Sequence, residues 1–241
     1  MTRPVNVIIT TASMAALTFG LLVACEPLPT GPDYSWGDAR VAECAASACT
    51  QLEMDNMSIA DYSQLAGLTH VTALMLSYTT FSDLADIAPM THLQELHVGQ
   101  TEVQDLTGLA AFANLRLLHI QGVNPESWAP LAQLTQLREL AIGHYQMSDF
   151  SIIAQLPQLQ RLRITNAAAD ADLSGLGQHR GLLTVDLSDT TFTDISPLLR
   201  LPNLRELSID SYNAENQADT IAKLRARGVQ VRLIEPVIIM C

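Results

Sequence analysis

The sequence predicts an α/β solenoid in which short strand-and-turn units stack on one another. One unit runs from residue 71 to residue 91 and reads VTALMLSYTTFSDLADIAPMT. Its apolar residues first alternate, as in a strand, and then recur at a spacing close to one helical turn. The same order of residues starts again at Leu93. Each unit is therefore expected to form a short strand followed by a compact return.

Successive copies of this unit cover most of the chain. Aligned on the first apolar residue, they begin at Cys49, Val71, Leu93, Leu115, Leu137, Leu159, Leu182 and Leu204. The spacing is 22 residues, except for 23 residues between Leu159 and Leu182. One unit of this length cannot bury its own leucines, so the units gain stability by stacking into one domain, whose two ends need caps.

The start of each unit follows the pattern L-x-x-L-x-L, as in Leu93-x-x-Leu96-x-Val98. Over residues 49–212 the chain resembles bacterial leucine-rich repeat proteins of the internalin-like class with 22-residue repeats. The resemblance implies a curved right-handed solenoid, with a parallel sheet on the concave side and short helical or extended turns on the convex side.

One position departs from the family pattern. Three residues after the strand the family usually has Asn, which bonds the turn backbone, whereas this chain has Met57, Thr79, Thr101, Val123, Tyr145, Ala167, Thr190 and Tyr212. Val and Ala cannot make that bond, so we expect looser or hydrated turns in the middle of the array. The additional residue of the longer unit is expected to form a convex bulge within residues 167–172.

The N-terminal residues have the features of a secretory signal. Residues 1–24 carry Arg3 and then a largely apolar stretch, and Leu22-Val23-Ala24-Cys25 matches the bacterial lipobox. This resemblance implies cleavage before Cys25 and acylation of that residue, which would anchor the protein to a membrane. Glu26, where an inner-membrane retention signal would have Asp, favours the outer membrane. The alternative is a transmembrane anchor, for which the polar residues in the stretch are unfavourable.

Two segments precede the repeats. Residues 25–40 are rich in proline and glycine and are expected to be a flexible tether. Residues 41–48 are expected to form the N-terminal cap, with a Cys44–Cys49 disulfide formed in the oxidising compartment that export implies. A metal site or a redox pair is the alternative use of these cysteines. Cys241 is left over and is either free or paired between molecules.

The segment after the repeats, residues 213–241, is expected to be a C-terminal cap. Residues 214–227 have apolar residues near helical spacing, and Gly228 ends the pattern. Residues 229–233 then alternate as a strand. A helix and a strand would cover the apolar side chains that a further repeat would otherwise bury.

The chain is acidic, with a formal net charge of -12. This charge argues against nucleic acid or anionic lipid as a partner. Part of it is a column of aspartates: Asp61, Asp83, Asp105, Asp149, Asp172 and Asp194. We expect these side chains to bond local backbone N–H groups and start the return helices. An array of calcium sites is disfavoured, because one carboxylate per repeat does not surround an ion.

The side chains that point away from the core form the candidate binding face. It is predicted to contain Met75, Tyr78, Glu95, His97, Leu117, His119, Glu139, His144, Arg161 and Arg163. Mixed aromatic, apolar and charged groups on a rigid sheet are typical of protein binding. A simple cross-strand ion pair is the other interpretation of Glu139 and Arg161. His97 and His119 could bind a metal with Glu95 or His144.

The remaining histidines, His70, His92 and His179, are expected on turns facing solvent. The sequence has no G-x-S-x-G, H-E-x-x-H or Walker A motif, so no enzyme activity and no cofactor are predicted. The sequence thus predicts a monomeric, lipid-anchored binding module of the bacterial envelope that recognises a protein or cell-surface partner. A structural spacer without a ligand is the alternative, followed by a metal-binding protein that uses His97 and His119.

Overall fold

The computed structural model describes residues 33–235, apart from the side chain of residue 178. The predicted signal peptide, the lipid-attachment residue Cys25 and the leftover Cys241 lie outside this range. In the described range, no helix combines the length and the apolar character needed to cross a bilayer.

A parallel sheet runs through the repeats, and its strands follow chain order. The strands are β1 (Gln51–Glu53), β2 (Ala73–Met75), β3 (Glu95–His97), β4 (Leu117–His119), β5 (Glu139–Ile142), β6 (Arg161–Ile164), β7 (Thr184–Leu187), β8 (Glu206–Asp210) and β9 (Gln230–Ile234). Equivalent residues of neighbouring units pair directly, as Leu96 does with Leu74 and Leu118. The predicted α/β leucine-rich repeat solenoid with a parallel concave sheet is confirmed.

Short 3₁₀ helices return the chain from one strand to the next. They span Tyr62–Gly67, Leu84–Ile87, Thr107–Ala111, Ala129–Gln133, Ser151–Gln155, Ser174–Gln178 and Ser196–Arg200. The aspartates start these returns as predicted: Asp105 Oδ1 accepts the N–H of Thr107 at 2.8 Å, and Asp172 Oδ1 accepts that of Ser174 at 2.7 Å. In the one return that has Ser127 at this position, the serine Oγ accepts from Ala129 instead.

The core is a continuous ridge of stacked side chains between the sheet and the returns. Leu74, Leu96, Leu118 and Leu140 occupy the same place in four successive units and are fully buried. Phenylalanines fill the wider space behind them, at Phe81, Phe112 and Phe150. Strands β1 to β8 each bury one face against this core, and the opposite face of the sheet carries the candidate binding residues.

The N-terminal cap is longer than predicted. Helix α1 spans Ser35–Ser47, so the last residues of the predicted tether are helical. The helix buries Val41 and Cys44 against the first repeat. Gly37 lets it approach closely, because a Cβ there would lie 2.5 Å from the carbonyl oxygen of Ser58. The predicted Cys44–Cys49 disulfide is present and joins the end of this helix to the residue that opens the first unit.

The C-terminal cap contains two helices where one was predicted. Helix α2 spans Ser211–Asn216, helix α3 spans Ala218–Ala226, and β9 follows as the last strand of the sheet. The break falls at Gln217, whose side-chain amide donates to the carbonyl oxygens of Phe192 and Thr193. These bonds tie the cap to the preceding unit, and Arg227 adds a bond of 2.7 Å to the carbonyl oxygen of Leu201.

The turns after the strands are ordered by several different bonds in place of an asparagine ladder. Thr79 Oγ1 donates to the carbonyl oxygen of Leu76 at 2.6 Å, and Thr190 Oγ1 accepts the N–H of Ala167 at 2.9 Å. The additional residue of the longer unit lies in a turn in which the N–H of Ala171 donates to the carbonyl oxygen of Ala168. Strand register is unchanged across it, because Arg161 still pairs with Thr184.

Candidate protein-binding face

The strands alternate between core and open face as the sequence predicted. In β6, Leu162 and Ile164 are buried, whereas Arg161 and Arg163 are exposed. In β3 and β4 the side chains of the open face are half-buried, because their neighbours across the sheet cover them. These half-buried residues are Glu95, His97, Leu117 and His119.

Two predicted members of the face are not accessible. Met75 is only 8% exposed, although its strand position points it away from the core. The side-chain amide nitrogen of Gln51 lies 3.9 Å from its sulfur, and His97 is its register partner on the next strand. His144 is 9% exposed, because the neighbouring Tyr145 ring stacks on it at a centroid distance of 4.0 Å. Neither residue is available for direct contact with a partner.

A row of polar contacts crosses the centre of the face. His97 Nε2 lies 2.7 Å from Glu95 Oε1, and the His97 ring packs on the His119 ring with centroids 4.2 Å apart. His119 Nε2 lies 3.8 Å from Glu139 Oε1. Arg161 Nε then donates to Glu139 Oε2 at 2.6 Å, so the cross-strand pair foreseen as an alternative does form. The row extends from β3 to β6.

The protonation of His119 depends on its place in this row. Burial lowers the pKa of His119 below its ordinary value of 6.5, and the neighbouring His97 lowers it further. The carboxylates of Glu139 and Glu95 act in the opposite direction but do not outweigh these causes. Its position in the row therefore favours the neutral form of the His119 ring at neutral pH.

Arg163 stands next to this row and reaches toward acidic residues that the sequence analysis did not single out. Its Nη2 lies 3.3 Å from Asp189 Oδ2, and its Nε lies 3.6 Å from Asp186 Oδ2. Asp186 is the register partner of Arg163 on β7, so the repeat alignment contained the signal for this contact. Asp189 lies in the turn that follows β7, at the same eighth position of its unit as Tyr78, so its column was a further signal.

Tyr78 has an unusual backbone conformation. It lies at the eighth position of its unit with a φ of 60° and is 63% exposed. The same position is left-handed in other units, where it holds Asn56, Gln100, Gly122, Asn166 and Asp189. A bulky aromatic residue is rare in this region of backbone space. The ring is thus held outward at a place where the local backbone favours asparagine or glycine.

Tyr78 and Arg163 line one depression although they belong to units four apart. The depression has a volume of about 480 Å³, and its other lining residues include Gln100, Gln121, Asn166 and Asp189. This depression on the open face is thus lined by two of the predicted site residues, Tyr78 and Arg163.

The turn histidines are more buried than predicted. His179 is buried; its Nδ1 accepts the backbone N–H groups of Gly181 and Leu182, and its Nε2 contacts the carbonyl oxygen of Leu156. His70 and His92 are half-buried. The prediction of a solvent-facing ring was wrong for His179, because its imidazole fits between successive turns and contacts the backbone of both.

One group of side chains in the described range has the spacing of metal ligands. Within residues 33–235, three ligand atoms approach one another within 4.8 Å only at Cys44, Cys49 and His70. Both sulfurs of that group belong to the disulfide, so they are not thiolates able to bind a metal. His97 and His119 do not form such a group with Glu95 or His144.

The same stacked arrangement occurs in solved structures of other proteins. No protein-family model and no curated protein sequence matches the chain. An internalin, InlF from Listeria monocytogenes, superimposes with a TM-score of 0.62 at 21% identity, over 78% of this chain and 55% of InlF. The chain has the leucine-rich repeat fold of the internalins. Internalin C2 from the same species gives a TM-score of 0.58 at 24% identity, over 78% of this chain and 80% of that one.

Proposed function

We propose that this leucine-rich repeat protein is a lipid-anchored binding module of the bacterial envelope, which recognises a protein partner through its concave face. The observation that carries the proposal is the shared depression lined by Tyr78 and Arg163. Tyrosine and arginine are enriched at interfaces, where they contribute much of the binding energy. The rigid sheet fixes their separation before a partner arrives, which lowers the entropic cost of binding. Recognition of this kind involves no chemical step.

One observation favours the alternative, a spacer without a ligand. The charged groups at the centre of the face already have opposite charges beside them, as Glu139 has in Arg161 and Asp186 has in Arg163. Exposed pairs of this kind keep a sheet soluble and contribute little free energy. Tyr78 argues against a pure spacer, because a strained and exposed aromatic residue brings no benefit to a surface that binds nothing.

Site-specific photo-cross-linking in cells distinguishes the two. A benzoylphenylalanine in place of Tyr78 keeps an aromatic ring in the depression, and we expect it to form a defined adduct with one envelope protein. The same group in place of Trp36, which is exposed on α1, is the matched control and should not form that adduct. Absence of any adduct from positions 78 and 119 would support the spacer.

Charge reversal tests the same face through its effect on the adduct formed from position 78. Arg163→Glu places a third carboxylate next to Asp186 and Asp189, and we expect it to abolish the adduct formed from position 78. Arg161→Glu and His119→Glu should weaken it as well. Lys223→Glu, on the exposed surface of α3, is the control. An adduct that persists in all three variants of the face would exclude these residues from the contact.

The membrane anchor is a separate part of the proposal and has its own test. If Cys25 is acylated, metabolic labelling with an alkyne-tagged palmitate should mark the mature protein. Cys25→Ser should lose the label and leave the membrane fraction. An unlabelled native protein, or a mature N-terminus other than Cys25, would contradict the lipid anchor and leave the binding face unaffected.

A further inference from the structure

A second pocket lies beyond the ends of strands β5 to β8. It shares Asn166 and Asp189 with the depression at Tyr78, but it contains none of the predicted site residues. It has a volume of about 560 Å³, within the range of roughly 300–1,000 Å³ that is common for ligand sites. Its shape follows from the ninth residues of four successive units. Tyr145 and Tyr212 are large, whereas Ala167 and Thr190 between them are small, so two aromatic rings border a depression.

The two tyrosine rings that border the pocket are exposed, and the Tyr145 ring is held by a neighbouring side chain. Tyr145 and Tyr212 are 68% and 71% exposed, which makes them the most exposed tyrosines of the described residues. The Tyr145 ring rests on the buried ring of His144. The chain takes an extended turn with positive φ at Gly143, where a Cβ would collide with the carbonyl oxygen of Thr165. The contact with His144 and the close backbone approach at Gly143 therefore define the position of the Tyr145 wall.

The pocket is acidic, and one of its carboxylates has no counter-charge. Asp189 pairs with Arg163, but Asp210 Oδ2 accepts only the backbone N–H of Asp189 at 3.1 Å and the Asn213 amide at 3.4 Å. None of the described lining residues is basic. Burial raises the pKa of Asp210, and the nearby carboxylates of Asp189 and Asp186 raise it too, against the lowering effect of the Asp189 N–H. A cation would therefore be stabilised beside this group.

An arginine side chain fits this combination better than other cations do. Its planar guanidinium stacks on tyrosine faces and donates two parallel hydrogen bonds to a carboxylate, whereas a lysine ammonium is a point charge with a strong hydration shell. We propose that the pocket between Tyr145 and Tyr212 binds an arginine side chain presented by a protein partner, with Asp210 as the pairing carboxylate. The site goes beyond the concave-face proposal and does not depend on it.

The proposal can be tested with a small probe and without the partner. N-acetylarginine amide is titrated into the full chain while backbone amide chemical shifts are followed. We expect saturable changes at residues 189–190 and 210–213. N-acetylcitrulline amide has nearly the same shape but no charge, and we expect no saturable change with it. Equal binding of the two probes would overturn the proposal, because shape alone would then explain the binding.

Three variants locate the site. Asp210→Asn keeps an acceptor for the Asp189 N–H but removes the charge, and it should weaken arginine binding at least about tenfold, as expected for the loss of a charged hydrogen-bond partner. Tyr212→Ala alters an exposed residue, so it should fold normally and still weaken binding. Asp219→Asn, on α3, is the matched control. Unchanged binding in Asp210→Asn and Tyr212→Ala, or saturation by N-acetylglucosamine in place of arginine, would overturn the assignment.

Discussion

At the scale of single residues, Tyr78 is a residue type that suits a contact surface but destabilises the backbone at its position. Its left-handed conformation is one that asparagine adopts at the equivalent Asn56 and Asn166. An aromatic residue there costs free energy, and an exposed ring recovers little of that cost through packing. A partner that contacts the ring would offset the cost in the complex.

We predict that Tyr78→Asn raises the free energy of unfolding by about 1 kcal/mol, because asparagine tolerates this backbone region. The same substitution should reduce partner binding. Asn56→Tyr at the equivalent left-handed position, outside the depression, is the control for the backbone effect and should destabilise the protein by a similar amount without a comparable loss of binding. Denaturant titration measures both variants. A loss of stability in Tyr78→Asn would show that packing of the ring outweighs the strain.

The lowered pKa of His119 predicts that the free energy of unfolding depends on pH. The pKa of His119 is lower in the folded protein than its ordinary value of 6.5, so below that value the unfolded chain binds more protons than the folded protein. The free energy of unfolding should therefore fall as the pH decreases from 6.5 toward the folded pKa of His119. His119→Gln should reduce this decrease.

Thermal unfolding between neutral and mildly acidic pH measures this effect. His70→Gln is a suitable control, because His70 lies in the turn before β2 and not in the row of contacts on the open face. If the His119→Gln protein loses as much stability as the native protein over this range, burial of His119 is not the cause of the decrease.

For single residues, the sequence predicted correctly to which face of the sheet a strand side chain points, but it did not predict how much of that side chain is exposed. Strand alternation placed Arg161, Arg163 and Glu139 on the open face, where they are. It also placed Met75 there, although this residue is buried. Alternation predicts which way a side chain points, whereas burial depends on the size of the neighbours on the adjacent strands.

The sequence also contained a signal for the pocket between Tyr145 and Tyr212 that was not used. These two residues were noted only as departures from the family pattern, but the order large, small, small, large in their column indicates a depression between two rings.

At the scale of elements, the aspartate column sets where each return begins. The hydrogen bonds from Thr107 and Ser174 lower the pKa of Asp105 and Asp172, and bonds from Ser63 do the same for Asp61. A carboxyl group with a lowered folded pKa stabilises the protein above its ordinary value of 3.8, and this contribution is lost as the pH falls through the folded pKa.

We predict that the triple substitution of Asp61, Asp105 and Asp172 by serine makes stability less dependent on pH below 3.8. Serine is a suitable replacement, because Ser127 already accepts the equivalent backbone bond without a charge. Acid unfolding followed by circular dichroism measures the effect. Asp170→Ser, in the exposed turn before β7, is a single-site control. Parallel acid-unfolding curves of the triple variant and the native protein would contradict the prediction.

The regular elements could be predicted from the sequence, and the caps only in part. Strands and returns repeat, so each copy strengthens the assignment of the others. Helix α1 occurs once, and the glycines and prolines of residues 25–40 predicted a flexible tether where the helix in fact begins. Gly37, inside the helix, allows close packing against Ser58 and does not indicate flexibility. The break between α2 and α3 at Gln217 depends on side-chain bonds to the preceding unit. Local periodicity does not contain that information.

At the scale of the whole molecule, each unit is stabilised mainly by its two neighbours. A defect at the end of such an array should affect adjacent units first, whereas a central defect should weaken both sides. Leu118 in β4 and Leu224 in α3 are both fully buried, which allows a direct comparison between the middle and the end.

We predict that Leu118→Ala and Leu224→Ala each lower the free energy of unfolding by about 3 kcal/mol, as is typical for a buried leucine. Hydrogen exchange followed by mass spectrometry should show faster exchange confined to β8, β9 and the C-terminal helices in Leu224→Ala. In Leu118→Ala the faster exchange should extend in both directions from β4. Uniform acceleration along the chain in Leu224→Ala would mean that the array unfolds only as a single cooperative unit.

The longer unit between β6 and β7 has a practical consequence. Its additional residue is accommodated by the turn around Ala169 and Asp170, and the pairing of Arg161 with Thr184 is undisturbed. This turn is thus the natural place to graft an epitope tag or a fluorescent reporter into the chain. The grafted segment would extend outward while the spacing between neighbouring columns of the sheet stayed as it is.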